Sequence, residues 1–296
     1  MTDGKLIKSG IAFLDYTWQP GIPGSAGESV QATMERPLKT PRAGFVGVRF
    51  GADLFAPEVT DDVIAEVLAT AVLSAAVGIR HQFLLLTSHV ELMHASLSAL
   101  RPEDVVAAAH HRFGEENAIH VENGLNGVLG TGRNAGWPVQ NVLLGTAIRT
   151  DDDVVTKVPH LIRLASGGWR TWLLVDPSEC IHLEVACTSC LTCNGVQQDG
   201  ECCESFAEMG EHFRGIGFVV VGSQKCDPAW VQTLCTHCCQ SEVPFFYARG
   251  PGDSIGVGTH YSHCGAQFMA KVGTKRVQVP VLDNQVWTER PGVTLG

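Results

Sequence analysis

Two uninterrupted apolar runs, at residues 83–86 and 218–221, constrain the fold of this chain more than any other feature. A strand with one face in water alternates apolar and polar side chains, whereas a strand covered on both faces is apolar throughout. Cover on both faces is typical of parallel strands that have helices above and below them. The two runs therefore predict an α/β fold with a mainly parallel sheet.

Further short apolar segments alternate with helical patterns along the chain, which is the order expected of βα units. The predicted strands are residues 10–14, 45–50, 83–87, 141–146, 171–175, 218–222 and 244–247. There is no Rossmann or Walker pattern, so six or seven such units predict a complete or partial (β/α) barrel. Functional side chains of such barrels lie at the carboxyl ends of the strands.

The helices between these strands carry start signals. Acidic residues open a helix at Asp61, Ser88 with Glu91 forms a capping box for the next, and Pro228 is at the first position of a later one. A further helical pattern covers residues 154–164, and Pro159 either kinks it or starts its regular part.

We expect a single barrel domain over residues 1–296, with two segments that break the βα rhythm. Residues 101–140 are rich in Gly and Asn after a short helical start, and are predicted to be an insertion. Residues 178–215 hold many of the cysteines and are predicted to be a second, Cys-rich insertion.

Charge and hydropathy limit the partners. The formal net charge is −10, from 21 basic and 31 acidic residues, and no Lys/Arg run is present, so nucleic acid is not a favoured partner. The N-terminus lacks the apolar core of a signal peptide, and the most apolar helical stretch, residues 63–77, is too short to cross a membrane. We therefore expect a cytoplasmic protein whose partner is a small molecule or another protein.

Several local segments occur in a recognisable order. They are Tyr-Thr-Trp-Gln-Pro at 16–20, Ala-Asp-Leu-Phe at 52–55, Val-Pro-His-Leu at 158–161, Asp-Pro-Ala-Trp-Val at 227–231 and Leu-Asp-Asn at 282–284. Together they resemble the radical-SAM-like proteins of phages and mobile elements, a family of unassigned reaction. The resemblance implies a partial (β/α) barrel of the radical SAM type, in the host cell cytoplasm if the gene is carried by a phage.

The resemblance also implies where a cofactor would bind. In radical SAM proteins three cysteines after the opening segment hold a [4Fe–4S] cluster, whose open iron binds S-adenosylmethionine. Here residues 21–31 contain no cysteine, and Ser, Glu and Gln are not ligands for such a cluster. Radical SAM activity, the cluster and S-adenosylmethionine are therefore not expected. The chain is interpreted as a cluster-deficient pseudoenzyme that acts by binding a ligand or a protein partner.

The cysteines that the chain does contain lie elsewhere. Ten of the 11 fall between Cys180 and Cys239, which favours a metal site or reduced thiols over a disulfide scaffold. Two overlapping C-x2-C steps predict a structural zinc site. Its ligands would be Cys187, Cys190 and two of Cys193, Cys202 and Cys203. A reduced Cys-rich loop is the alternative, and a relocated iron–sulfur cluster is a third reading that the spacing does not favour.

Other residues allow different interpretations. Cys235, Cys238 and Cys239 share one helix face and are predicted to pack in the core. An enzyme of non-radical mechanism would use Asp176, His89 or Glu28 at the mouth of the barrel. A structural or virion-associated protein, in which the barrel is only a building block, is the remaining alternative.

Overall fold

A computed structural model of the protein describes residues 16–20, 29–40, 44–49, 53–127, 136–176, 215–222, 228–249, 269–272 and 275–278. The chain divides into two compact units. The N-terminal unit comprises Leu14–Gly145 and Arg163–Arg170, and the C-terminal unit comprises Met1–Phe13, Thr146–Ile162 and Thr171–Gly296.

Seven strands form one sheet in which each strand lies beside the next in sequence. They are β1 Tyr16–Trp18, β2 Phe45–Val48, β3 Gln82–Thr87, β4 Val142–Ile148, β5 Arg170–Val175, β6 Val219–Gly222 and β7 Phe245–Arg249. β1–β2, β2–β3, β5–β6 and β6–β7 pair in parallel. Sequential order is that of βα units wound in one direction, whereas a doubly wound sheet reverses its order. The predicted parallel α/β fold is confirmed, and the topology is compatible with a partial (β/α) barrel.

The helices connect these strands. They are α1 Val30–Met34, α2 Asp61–Ala76, α3 Val90–Ala99, α4 Pro102–Phe113, α5 Glu115–Leu125, α6 Asp151–Ser166 and α7 Pro228–Gln240, with a 3₁₀ turn at Arg36–Lys39. Pro159 lies inside α6, which begins before it and continues past it. No helix in the described part of the chain is both long and apolar enough to span a bilayer.

Sequence patterns missed three strands. β1 has only three residues, too few to show a strand period, and the predicted strand at residues 10–14 lies outside the described residues. β8 Met269–Val272 and β9 Lys275–Gln278 form a separate antiparallel hairpin. Lys and Arg on this hairpin interrupt the apolar alternation that would have revealed it.

The segment 101–140 is more helical than its composition indicated. α4 begins where Asp104 Oδ2 accepts a hydrogen bond from the Arg101 backbone N–H at 2.9 Å. It ends at Gly114, whose φ of 82° suits a residue without Cβ, and α5 follows at once. α4 and α5 pack on each other and on α2. The sequence predicted only the short helical start because Gly and Asn at its end obscured the pattern.

The core of the N-terminal unit centres on Trp18 of β1. Its indole is fully buried and meets Phe83 of β3 edge to face, with ring centroids 5.6 Å apart. Its Nε1–H donates to the backbone oxygen of Thr33 in α1 at 2.8 Å. One side chain thus joins two strands and a helix, which fixes the point at which the chain leaves β1.

Several polar groups at the amino ends of the strands form hydrogen bonds within the protein. Arg170 Nη1 donates to Gln82 Oε1 at 2.5 Å and to the Gln140 oxygen at 2.9 Å, and burial lowers the pKa of Arg170. Asn141 Nδ2 donates to the Ala71 oxygen at 2.8 Å. Burial raises the pKa of Tyr16 to about 12. These contacts stabilise the sheet, as is usual at the amino end of parallel strands.

Candidate functional site

The carboxyl ends of β1, β2 and β3 form the best-defined edge of the N-terminal unit. Trp18 is level with Val48, and Val48 with Leu85, and β3 continues for two more residues to Thr87. The Arg49 N–H donates to the Trp18 oxygen at 2.8 Å and extends this pairing by one residue. Neighbouring strands lie about 4.8 Å apart, so the residues that follow them share a small area.

The Asp53 carboxylate holds this edge together. Oδ1 accepts from Thr87 Oγ1 at 2.7 Å and from the Phe55 N–H at 3.0 Å. Oδ2 accepts from the Ser88 N–H at 2.8 Å and from Ser88 Oγ at 3.1 Å. Hydrogen bonds to an ionised acceptor are among the strong ones in proteins. Asp53 therefore ties the segment after β2 to the last residues of β3.

These bonds change the predicted start of α3. The sequence indicated a capping box from Ser88 to Glu91, and that prediction is wrong. Ser88 Oγ is engaged by Asp53, and the N-cap residue is His89, without a side-chain capping bond. The His89 N–H donates to Thr87 Oγ1 at 2.9 Å. Its imidazole is exposed at the edge, on a backbone held by Asp53 and Thr87.

Arg49 adds a cation to the same edge. Its side chain is exposed, and no carboxylate of the described residues pairs with it. In a chain of net charge −10, this guanidinium lies one strand away from Ser88 and His89 and gives the edge a cation that offsets the Asp53 carboxylate. Sequence reasoning missed Arg49 because a single Arg after a strand carries no motif.

The other predicted site residues have different outcomes. Asp176 follows β5 in the C-terminal unit, is half-buried, and donates its backbone N–H to the Ile148 oxygen at 3.0 Å. Glu28 lies outside the described residues. So do all five predicted zinc ligands, Cys187, Cys190, Cys193, Cys202 and Cys203. Among the described residues, no group of three or more His, Cys, Asp and Glu side chains is placed to hold a metal ion.

The cysteines of α7 divide by exposure. Cys235 and Cys238 are buried, as the helical spacing predicted. Cys239 is exposed, so its predicted place in the core is wrong. It lies 100° around the helix from Cys238, far enough for one residue to face the core and the next to face water.

In the family that the chain resembles, the cluster cysteines lie in the segment that corresponds to residues 21–31. Ser29 and Gln31, near the end of this segment, form hydrogen bonds with residues of α1 and its C-cap. Ser29 Oγ accepts from the Ala32 N–H at 3.1 Å and caps α1, and Gln31 Nε2 donates to Glu35 Oε1 at 2.6 Å. Neither side chain offers a soft sulfur ligand, and the first cysteine of the chain is Cys180. The residues present do not fit a [4Fe–4S] cluster at this position.

An ion pair and hydrogen bonds around Asp153 and Lys157 hold α6 at the carboxyl end of β4, in the C-terminal unit. Lys157 Nζ lies 2.6 Å from Asp153 Oδ1 and donates to the Ala147 oxygen at 3.2 Å. Asp153 Oδ2 accepts from the Arg149 N–H at 2.8 Å. Burial of Asp153 opposes its ionisation, but the bonds from Lys157, Arg149 and Thr150 outweigh burial and lower its pKa below 3.8.

The ion pair between Asp153 and Lys157 predicts that the free energy of unfolding depends on pH. Because the folded pKa of Asp153 is depressed, its stabilisation is complete above pH 3.8 and is lost as the pH falls through the lower folded value. Asp153→Asn is expected to cost about 0.5–1 kcal/mol at pH 7, since the pair is partly solvated. Urea unfolding at pH 7, 5 and 3 should show this difference shrinking at pH 3. Asp152→Asn, on the exposed side of the same turn, is the control, and an unchanged difference at pH 3 would contradict the assignment.

The fold and this edge define an α/β protein with a sequentially ordered parallel sheet. The family model described as "Protein of unknown function (DUF5131)" matches residues 21–291, and the chain belongs to this uncharacterised family. Neither the curated proteins nor the solved structures contain a match to the chain.

Proposed function

We propose that this protein binds a small anionic ligand at the carboxyl edge of β1–β3 and does so without an iron–sulfur cluster. The observation that carries the proposal is the Asp53 carboxylate, which fixes Ser88 directly and the His89 backbone through Thr87. Arg49 follows the neighbouring strand and pairs with no carboxylate of the described residues. A site held by four hydrogen bonds pays little ordering cost when a ligand binds. An Arg side chain and a His⁺ both donate to carboxylate or phosphate oxygens, whereas the Ser88 hydroxyl already donates to Asp53.

In this proposal the protein shares its scaffold, and not its chemistry, with the radical-SAM-like proteins of phages and mobile elements that it resembles. A radical-SAM-type barrel without cluster cysteines would leave its mouth to a ligand or a protein partner. A structural zinc at Cys187, Cys190 and two of Cys193, Cys202 and Cys203 is part of the same proposal. It would stabilise the Cys-rich segment and take no part in binding the anion.

Inorganic phosphate is the probe for the anion site. We expect the ³¹P resonance of phosphate to broaden when wild-type protein is added at low ionic strength. The dissociation constant for phosphate should be about 1 mM. Arg49→Gln should weaken binding about tenfold, since it removes the charged donor. Arg80→Gln, an exposed Arg at the amino end of β3, should leave binding unchanged. Equal binding by wild type and Arg49→Gln would exclude the site.

Anaerobic treatment with iron and sulfide tests the cluster-free part separately. Protein purified without added metal should take up less than about one iron per chain and remain colourless, since cluster ligation needs thiolates in a fixed arrangement. Uptake of about four irons, together with cleavage of S-adenosylmethionine, would overturn it. Metal analysis of the same protein should give about one zinc per chain if the predicted cysteine site forms.

A further inference from the structure

A groove of about 310 Å³ lies in the N-terminal unit. Side chains from α1, the 3₁₀ turn, α4 and the start of α5 line it. Leu38 and Phe113 supply the apolar part, and Gln31, Arg112 and Asn117 supply polar groups. This volume is at the small end of sites that bind organic ligands. Two of the seven lining residues are apolar and the other five are polar or charged.

Both cations that line the groove are already paired. Lys39 Nζ lies 2.7 Å from Glu35 Oε2, and Arg112 Nη2 lies 2.7 Å from Glu66 Oε1 and 2.5 Å from Oε2. The lysine and the glutamine Gln31 hold the pKa of Glu35 below its usual range, so it stays ionised opposite Lys39. The groove thus has no uncompensated charge to offer an ion.

What remains are hydrogen-bonding positions on groups whose charges are paired or that carry no charge. Arg112 bonds Glu66 through Nη2 alone, so within the described part of the chain the N–H groups of Nη1 have no partner. The amide nitrogens of Gln31 and Asn117 donate to Glu35 and to the Phe113 backbone oxygen. Their amide oxygens accept no bond from the described residues. One side chain with a free donor and two with free acceptors therefore line the groove together with Phe113.

We infer that this groove binds an uncharged, planar ring bearing an amide or lactam group. The ring would pack on Phe113 and Leu38, its carbonyl would accept from Arg112 Nη1, and its N–H would donate to Asn117 Oδ1 or Gln31 Oε1. A carboxylate of the same shape has no N–H to donate and would face the Glu35 carboxylate. The groove therefore discriminates against anions, unlike the edge of β1–β3.

Benzamide and benzoate are matched probes, since they share a ring and differ in the polar group. In saturation-transfer NMR with the full chain, benzamide should bind with a Kd of about 1 mM and benzoate about tenfold more weakly. Asn117→Ala should weaken benzamide binding several-fold, whereas Asn126→Ala, an exposed residue just beyond the end of α5, should not. Equal binding of the two probes would overturn the inference.

A double variant tests the donor. Glu66→Gln/Arg112→Met removes the Arg112 donor and leaves no unpaired carboxylate, and its fold is checked by circular dichroism. We expect it to lose at least about fivefold in benzamide affinity, in line with one lost hydrogen bond. Unchanged affinity in this folded variant would contradict the inference. Phosphate binding at Arg49 should be the same in this variant, which separates this groove from the proposed anion site.

Discussion

Replacement of Trp18 by alanine is expected to lower the free energy of unfolding by about 3–5 kcal/mol, the usual cost of removing a large aromatic side chain from a core. Trp18 is fully buried, lies edge to face with Phe83 and donates to the Thr33 oxygen. The cavity would open between β1, β3 and α1, where each element already depends on the other two. Urea unfolding followed by far-UV circular dichroism measures the loss.

Trp18→Phe separates packing from hydrogen bonding. It keeps an aromatic ring but removes the Nε1–H, so the Thr33 oxygen loses its indole donor. We expect a loss of about 1–2 kcal/mol, well below that of the alanine variant. An alanine variant no less stable than the phenylalanine variant would show that Trp18 does not organise this core.

Removal of the Arg112 side chain is expected to have the second largest effect. The Glu66 carboxylate of α2 is only 13% exposed and receives both of its short bonds from Arg112 of α4. His111 Nδ1, 3.7 Å from Oε1, belongs to a side chain that is 81% exposed and is a weak substitute. Arg112→Met should therefore cost about 2 kcal/mol, less than the 3–5 typical of fully buried pairs because some solvent reaches this one.

A double-mutant cycle tests the cause. If the cost arises from an unpaired, largely buried carboxylate, Glu66→Gln in the Arg112→Met background should recover most of the lost stability. Additive losses in urea unfolding would instead mean that Arg112 acts through the packing of its aliphatic stem. The same double variant tests the groove lined by Leu38, Phe113 and Asn117, here called the amide groove. Its stability is therefore known before its binding is measured.

Strand prediction succeeded where burial on both faces gives a run of apolar residues. β3 and β6 are such strands, and their residues are buried almost without exception. β1 was missed because three residues show no period, although its Trp18 is the centre of the core. The start of α3 was misassigned because Ser88 has a second possible partner, Asp53, which is 35 residues away in sequence. Local patterns cannot rank a cap against a distant carboxylate.

In the candidate site, too, local patterns predicted some residues and missed those whose role depends on distant parts of the chain. His89 was predicted from its place after a strand, and the structure puts it at the edge, as expected of a residue that follows a parallel strand. Arg49 and Asp53 were not predicted as site residues, because their roles depend on which strands lie side by side. The amide groove was not predicted at all, since its residues come from four elements and none of them forms a motif.

The sequence by itself determined the class of fold, the absence of cysteines from residues 21–31 and the burial of the α7 cysteines at i and i+3. Each of these follows from composition or from a period along one element. Only the tertiary structure decided which carboxylate accepts the Ser88 hydroxyl, which cation at the strand ends pairs with no described carboxylate, and which polar groups around the groove are already used. Hydrogen bonds and ion pairs join residues far apart in the chain, so their partners become known only when the elements are packed together.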